Sequence, residues 1–200
     1  MKYTIWLGLL IMGWSAHTQS LEVMPGTERI FMDVQWLETF DGAKKWSLFS
    51  RTRATVDDRE RTDLFTGAYL NYTTSSGFGG TVVGRIGGAA AGGDAGLHYF
   101  KAARAFMVYA LASIAMDREF GTSWFSIMRY TPELREGLKI YSSLELFTNL
   151  NRQGHAFSVQ RVRVGLEIPF IQFGLACNLS GAGVDYDTAV NPGIFVRKNF

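Results

Sequence analysis

The chain has 200 residues, a formal net charge of +2, 47% hydrophobic and 14% aromatic residues, 22 Gly, 4 Pro and 1 Cys. These values exclude a disordered chain, a disulfide scaffold and a collagen-like repeat, and they predict one domain. Mean hydropathy is +0.03 and no apolar run beyond the N-terminus reaches the ~18 to 20 residues of a spanning helix, which excludes a helical membrane protein. The balance of 20 Lys+Arg against 18 Asp+Glu leaves no global field that would recruit nucleic acid.

The chain opens with a targeting pattern. Lys2 is followed by the apolar run Ile5 to Trp14, and Ala16-His17-Thr18 places small residues where a leader is cut. Residues 1–18 are therefore expected to be a signal peptide cleaved before Gln19, with 19–200 as the mature domain. Cys177 has no second cysteine to pair with and is expected to be a small apolar wall residue.

From Arg29 onward the sequence breaks into segments of strand length with a period of two. The segments expected are 29–40, 45–56, 63–73, 77–88, 94–101, 104–116, 121–131, 137–149, 155–168, 169–179, a weak 182–189, and 191–200. Met32, Val34 and Trp36 oppose Asp33 and Gln35, and Trp46, Leu48, Thr52 and Ala54 oppose Phe49, Arg51, Arg53 and Thr55. Late in the chain Leu138, Ile140, Leu144 and Leu146 oppose Lys139, Tyr141, Glu145 and Phe147; Val162, Val164, Leu166 and Ile168 oppose Arg161, Arg163 and Glu167. Asp41 to Lys44, Thr74 to Gly77, Asn149 to Gly154 and Asn191-Pro192-Gly193 carry turn chemistry.

Two stretches resist the rhythm. Phe106 to Met116 is apolar on both faces, so its period separates a strand from a buried helix poorly; strand is preferred. Gly84 to Gly96 is poor in side chains and is expected to be a turn or a bulged strand end. It lacks the Lys-Ser/Thr of a phosphate-binding loop.

The last residues, Gly193 to Phe200, end on an aromatic with Val196 and Ile194 on the same face. This end resembles the terminal strand of Gram-negative outer-membrane β-barrel proteins. The resemblance implies an all-β fold, a transmembrane antiparallel up-and-down barrel of about 10 to 12 strands. It also implies residence in the outer membrane, contact with its lipids, and Phe200, Val196 and Ile194 as a signal for the barrel assembly machinery. Lys198, two before the last residue, departs from the usual aromatic or apolar choice there. Such a sheet must close, because an unpaired backbone group in hydrocarbon costs several kcal/mol. Trp36, Trp46, Tyr72, Trp124 and Tyr130 are then candidates for the interfacial aromatic girdle.

With the apolar faces outward, the lumen would hold Arg51, Arg53, Arg85, Arg129, Lys139, Arg161, Arg163 and Arg197 against Asp33, Glu145 and Glu167. Two functions fit this excess. The arginines either fill a packed, structural barrel, an accessory subunit serving other outer-membrane or secretion-complex proteins, or they line a narrow channel preferring small acidic solutes, an architecture similar to small oligosaccharide-specific porins. The alternation also admits a soluble exported sandwich or lipocalin-like barrel with an apolar interior, for which strands this long are unnecessary.

A lipid hydrolase is the third and weakest class. A Ser and His on one strand must share a face to react, and His155 and Ser158, three apart, are expected on opposite faces. His98 has no nearby Ser, so both histidines are expected to be rim residues. No catalytic residue, metal site or cofactor is expected.

Overall fold

The computed structural model describes residues 18–57, 61–87, 91–116 and 121–200. The expected leader thus lies outside them, except Thr18. The described residues form thirteen strands: β1 (Thr18–Pro25), β2 (Arg29–Thr39), β3 (Trp46–Asp57), β4 (Thr62–Thr73), β5 (Phe78–Gly87), β6 (Ala91–Ala102), β7 (Phe106–Ala115), β8 (Thr122–Tyr130), β9 (Glu133–Arg135), β10 (Leu138–Asn151), β11 (Gly154–Ile168), β12 (Ile171–Ala182) and β13 (Asp187–Asn199). All pairings are antiparallel between neighbours, and β9 is a short flap on β10. The other twelve form an up-and-down ring that closes where β1 pairs β13, Ser20 opposite Asn199 and Glu22 opposite Arg197. The Phe200 N–H continues the seam to the Gln19 carbonyl at 3.0 Å. The closed ladder leaves no strand edge, which is the condition for crossing hydrocarbon.

Twelve is the upper end of the expected range, but two strands differ from those expected. β1 falls where the leader was expected to end. The weak 182–189 is not a strand of its own: 183–186 is a turn, and Asp187 starts β13. Asn191-Pro192-Gly193, expected as a connector, lies inside β13. Pro192 is tolerated because the side of β13 it faces is the one β1 has already left; its carbonyl accepts the Thr27 N–H at 2.9 Å. The Asn191 side chain fastens the β1–β2 turn there, accepting from Glu28 and Arg29 N–H and donating to the Arg29 carbonyl. A Cβ on Gly26 would collide with that amide.

The outer face is an apolar belt in which Ile30, Met32, Val34, Leu64, Leu70, Val82, Leu97, Val162, Val164, Leu175, Ile194 and Val196 are exposed. Such a continuous surface exceeds what a water-soluble monomer tolerates, whereas Glu22, Asp33, Arg51, Glu145, Arg163 and Arg197 are buried inside. This inside-out distribution rules out the lipocalin-like arrangement. Several hydroxyls on the outer face bond within the sheet: Thr52 bonds Thr66 at 3.2 Å and Ser142 donates to the Tyr130 carbonyl at 3.0 Å. Trp46 and Tyr72 pack at 5.0 Å and Phe78 and Tyr99 at 4.8 Å, placing outer aromatics toward the end that carries both chain termini. We call this the terminal end and the opposite one the distal end.

Phe106–Ala115 is a strand, and its double apolarity has a simple cause. Its inner residues Met107, Tyr109 and Leu111 pack on Val83, Phe125 and Ile127 within the lumen, while Phe106 and Ile114 face outward. Most of Gly84 to Gly96 is also strand: Gly84 to Gly87 end β5, and Ala91 to Gly96 open β6 with Gly84 opposite Gly93. Only 88–90 lie between, outside the described residues.

Candidate functional site: a lumen bridged by ion pairs

The eleven charged residues assigned to the interior lie on inward positions, and most are paired. Arg51 of β3 donates Nε and Nη2 to the two Asp33 oxygens, both at 2.7 Å, a bidentate fork. Its Nη1 reaches Glu145 Oε2 at 2.6 Å. Five strands separate β3 from β10 in either direction around the ring, so this bond crosses the lumen from wall to wall. Glu145 also receives Arg53 Nη2 at 2.5 Å and Arg161 Nη1. Asp33 further accepts from Gln35 at 2.6 Å.

Beside this cluster Glu22 holds two more guanidiniums, Arg163 Nε at 2.9 Å and Arg197 Nη2 at 2.8 Å. Arg161 lies over the Phe31 ring at 4.9 Å, and Arg197 donates to the Tyr141 hydroxyl at 3.0 Å. Asp33 and Glu22 side chains are 0% and 2% exposed, so side chains enclose these carboxylates in the middle of the barrel. Farther along the wall Arg85 pairs Asp94 at 2.8 Å, with Gly92 leaving space for the guanidinium, and Lys139 pairs Glu167 at 3.5 Å.

Glu22 and Asp94 were not anticipated from sequence. They raise the inward carboxylates from three to five against eight cations, and two of the five, Glu22 and Glu145, are each shared by more than one arginine. Glu22 sits in the strand taken for the leader boundary. Asp94 sits in the glycine-rich stretch, where alternation has no apolar partners to reveal it. Among the described residues, only one of the eight inward cations, Arg129, has no carboxylate partner.

His155, second residue of β11, lies at the distal rim, but His98 is not a rim residue. His98 is buried in the wall, with Thr81 on Nδ1 at 2.7 Å and Thr73 on Nε2 at 2.9 Å. Thr81 spends its proton on Asn71 Oδ1 at 2.8 Å, so Nδ1–H must donate and Nε2 accepts. Gly79 opposite makes this possible, since a Cβ there would overlap the imidazole. The tight fit marks His98 as structural.

His155 corrects the face assigned from spacing. The β10–β11 register shifts between Asn149 and Leu150, so Asn149 opposes Phe157 while Leu150 opposes His155, and Ala156 is the extra residue of a bulge. The bulge turns His155 to the outer face that Ser158 shares. His155 stacks on Tyr186 at 3.9 Å and bonds the Gly183 carbonyl through Nδ1 at 2.8 Å. Its Nε2 is buried without a hydrogen-bond partner, so the imidazole does not engage Ser158.

Ile194, Val196 and Phe200 are exposed on the outer face next to the seam. Lys198 reaches back over the Phe200 ring at 4.9 Å, covering the aromatic that ends the chain.

No family model and no curated protein matches the chain. Solved structures do. LpxR from Salmonella typhimurium is similar with 11% identity and a TM-score of 0.50 over 92% of this chain and 100% of that one. The KdgM porin is similar with 11% identity and a TM-score of 0.51 over 92% of this chain and 99% of that one. At such identities the likeness concerns the fold. With twelve strands, an apolar exterior and a polar interior, this is the fold of the Gram-negative outer-membrane β-barrels.

Proposed function

We propose that the protein is an integral outer-membrane barrel with a sealed lumen, a structural or accessory component of the envelope and not a conduit. The observation that carries this reading is the Arg51–Glu145 bond from one wall to the other, reinforced by Arg53 and Arg161. A permeating solute would have to part enclosed charges from their partners, which costs several kcal/mol per ion. The narrow anion channel fits less well, because seven of the eight inward cations already contact one of five carboxylates.

In this reading the apolar belt meets acyl chains, the outer aromatics sit at the headgroups, and the terminal end faces the periplasm. Partner proteins would bind the rims or the belt and not the interior. Phe200, Val196 and Ile194 serve the assembly machinery. Phe200→Ser is expected to reduce the folded, heat-modifiable fraction in membranes severalfold, as read by electrophoretic mobility with and without boiling; unchanged assembly would remove the signal from these residues.

Planar-bilayer recording tests the sealed lumen. The native barrel should give no steady conductance, and Arg51→Ala with Glu145→Ala should open one. Stable, anion-selective openings of the unsubstituted protein would overturn the proposal in favour of a channel. Labelled phospholipid should be left intact; release that His155→Ala abolishes would instead establish a hydrolase.

A further inference from the structure

The terminal end is hollow. A cavity of about 830 Å³ opens there, walled by Leu37, Phe49, Phe100, Met107 and Phe125, with Arg129 on one side. A second, of about 230 Å³, lies on the other side of Arg129. β8 and β2 stand opposite each other in the ring, so the Arg129 guanidinium crosses the lumen to donate to Gln35 Oε1 at 3.1 Å and divides the two spaces. Arg129 Nε is buried and has no hydrogen-bond partner.

These facts are unusual together. A guanidinium withdrawn from bulk water costs free energy unless an anion offsets it, and each of the other seven inward cations contacts a carboxylate. Arg129 instead faces an apolar space within the ~300 to 1,000 Å³ range of small-molecule sites. The lysines at the mouth, Lys44, Lys45 and Lys101, are exposed and would draw anions toward it.

We propose that this vestibule binds an aliphatic monocarboxylate, with the carboxylate on Arg129 and the chain along Phe49, Phe100 and Phe125. The head follows from charge and geometry. The one inward cation among the described residues without a carboxylate calls for an anion, and a planar guanidinium matches a planar carboxylate. The tail follows from Leu37, Phe49, Phe100, Met107 and Phe125, which set hydrocarbon and ring faces among the polar side chains that share the lining. The inference needs the barrel but not the sealed lumen, so a conducting protein would leave it standing, and absent binding would leave the lumen proposal standing.

The test is equilibrium dialysis of labelled octanoate against the full barrel in lipid nanodiscs, with empty nanodiscs subtracted. The expected result is saturable binding near one per barrel, with octanol, octylammonium and octyl phosphate each at least tenfold weaker. Arg129→Gln should weaken octanoate at least tenfold while leaving octanol unchanged. Met107→Trp, which fills the cavity without touching charge, should abolish binding of both. If Arg129→Gln fails to fold, the head-group series on the native barrel and Met107→Trp still decide. Non-saturable uptake, equal binding of octylammonium, or full binding by Met107→Trp would overturn the site; tighter octyl phosphate would overturn the carboxylate assignment.

Discussion

Glu145→Ala is expected to lower the stability of the folded barrel by about 3 to 5 kcal/mol, the typical cost of removing one partner from a buried ion pair. The reason is local. Glu145 is the shared acceptor of Arg51, Arg53 and Arg161, and its loss leaves three guanidiniums in an enclosed space with Asp33 as the remaining neighbour of the first two. Urea titration of the barrel in lipid vesicles, followed by its heat-modifiable mobility, measures the change. Glu133→Ala is the counterpart: it removes a rim pair with Arg104 at 3.4 Å, whose arginine side chain is 93% exposed, and should change stability by less than about 1 kcal/mol. Equal effects of the two substitutions would show that the cross-lumen cluster does not stabilise the barrel.

The second large effect is expected at Gly174. Four inward positions lie in one row across the sheet: Tyr141 opposite Gly165, Gly165 opposite Gly174, and Gly174 opposite Phe195. The two glycines leave the floor between the aromatics empty, and the rings lean over it to meet at 5.6 Å, each 1% exposed. A Cβ on Gly174 would strike the Val164 carbonyl and the Gly165 Cα. Gly174→Val should therefore cost about 1 to 3 kcal/mol from overpacking, together with the roughly 0.5 to 1.5 kcal/mol of the ring pair. Gly84→Val is the control, since a Cβ there meets nothing within 4 Å; it adds only lipid-facing surface and should be neutral. The same urea titration separates them, and a neutral Gly174→Val would mean that the row repacks freely.

The strand rhythm and the identity of each face were legible because period two converts directly into inside and outside when one side is hydrocarbon. Asp33, Glu145 and Arg163 alternate with apolar neighbours, so their inward placement could be read without coordinates. Partner choice could not. That Arg51 meets Glu145 depends on which strands stand opposite in a closed ring of twelve, a number that local patterns leave open. β1 was hidden for a different reason: Ser20, Glu22 and Met24 alternate properly with Leu21 and Val23, but the segment is short, abuts a leader-like stretch and ends in Pro25-Gly26. His155 was assigned to the wrong face by a single extra residue, Ala156, because a bulge inverts the parity on which the argument depends. Arg129 was expected among the inward cations, yet its lack of a carboxylate becomes visible only once the others have found partners.

The connections at the distal end are brief, from two residues at 152–153 to six at 116–121, and those at the terminal end are no longer than the seven of 131–137, part of which is β9. Long outward loops are what outer-membrane barrels ordinarily use to display epitopes and engage receptors. In the proposed orientation, connections this short would offer antibodies, phages and added proteases little to grip, and would leave a companion protein the rims and the outer belt to bind.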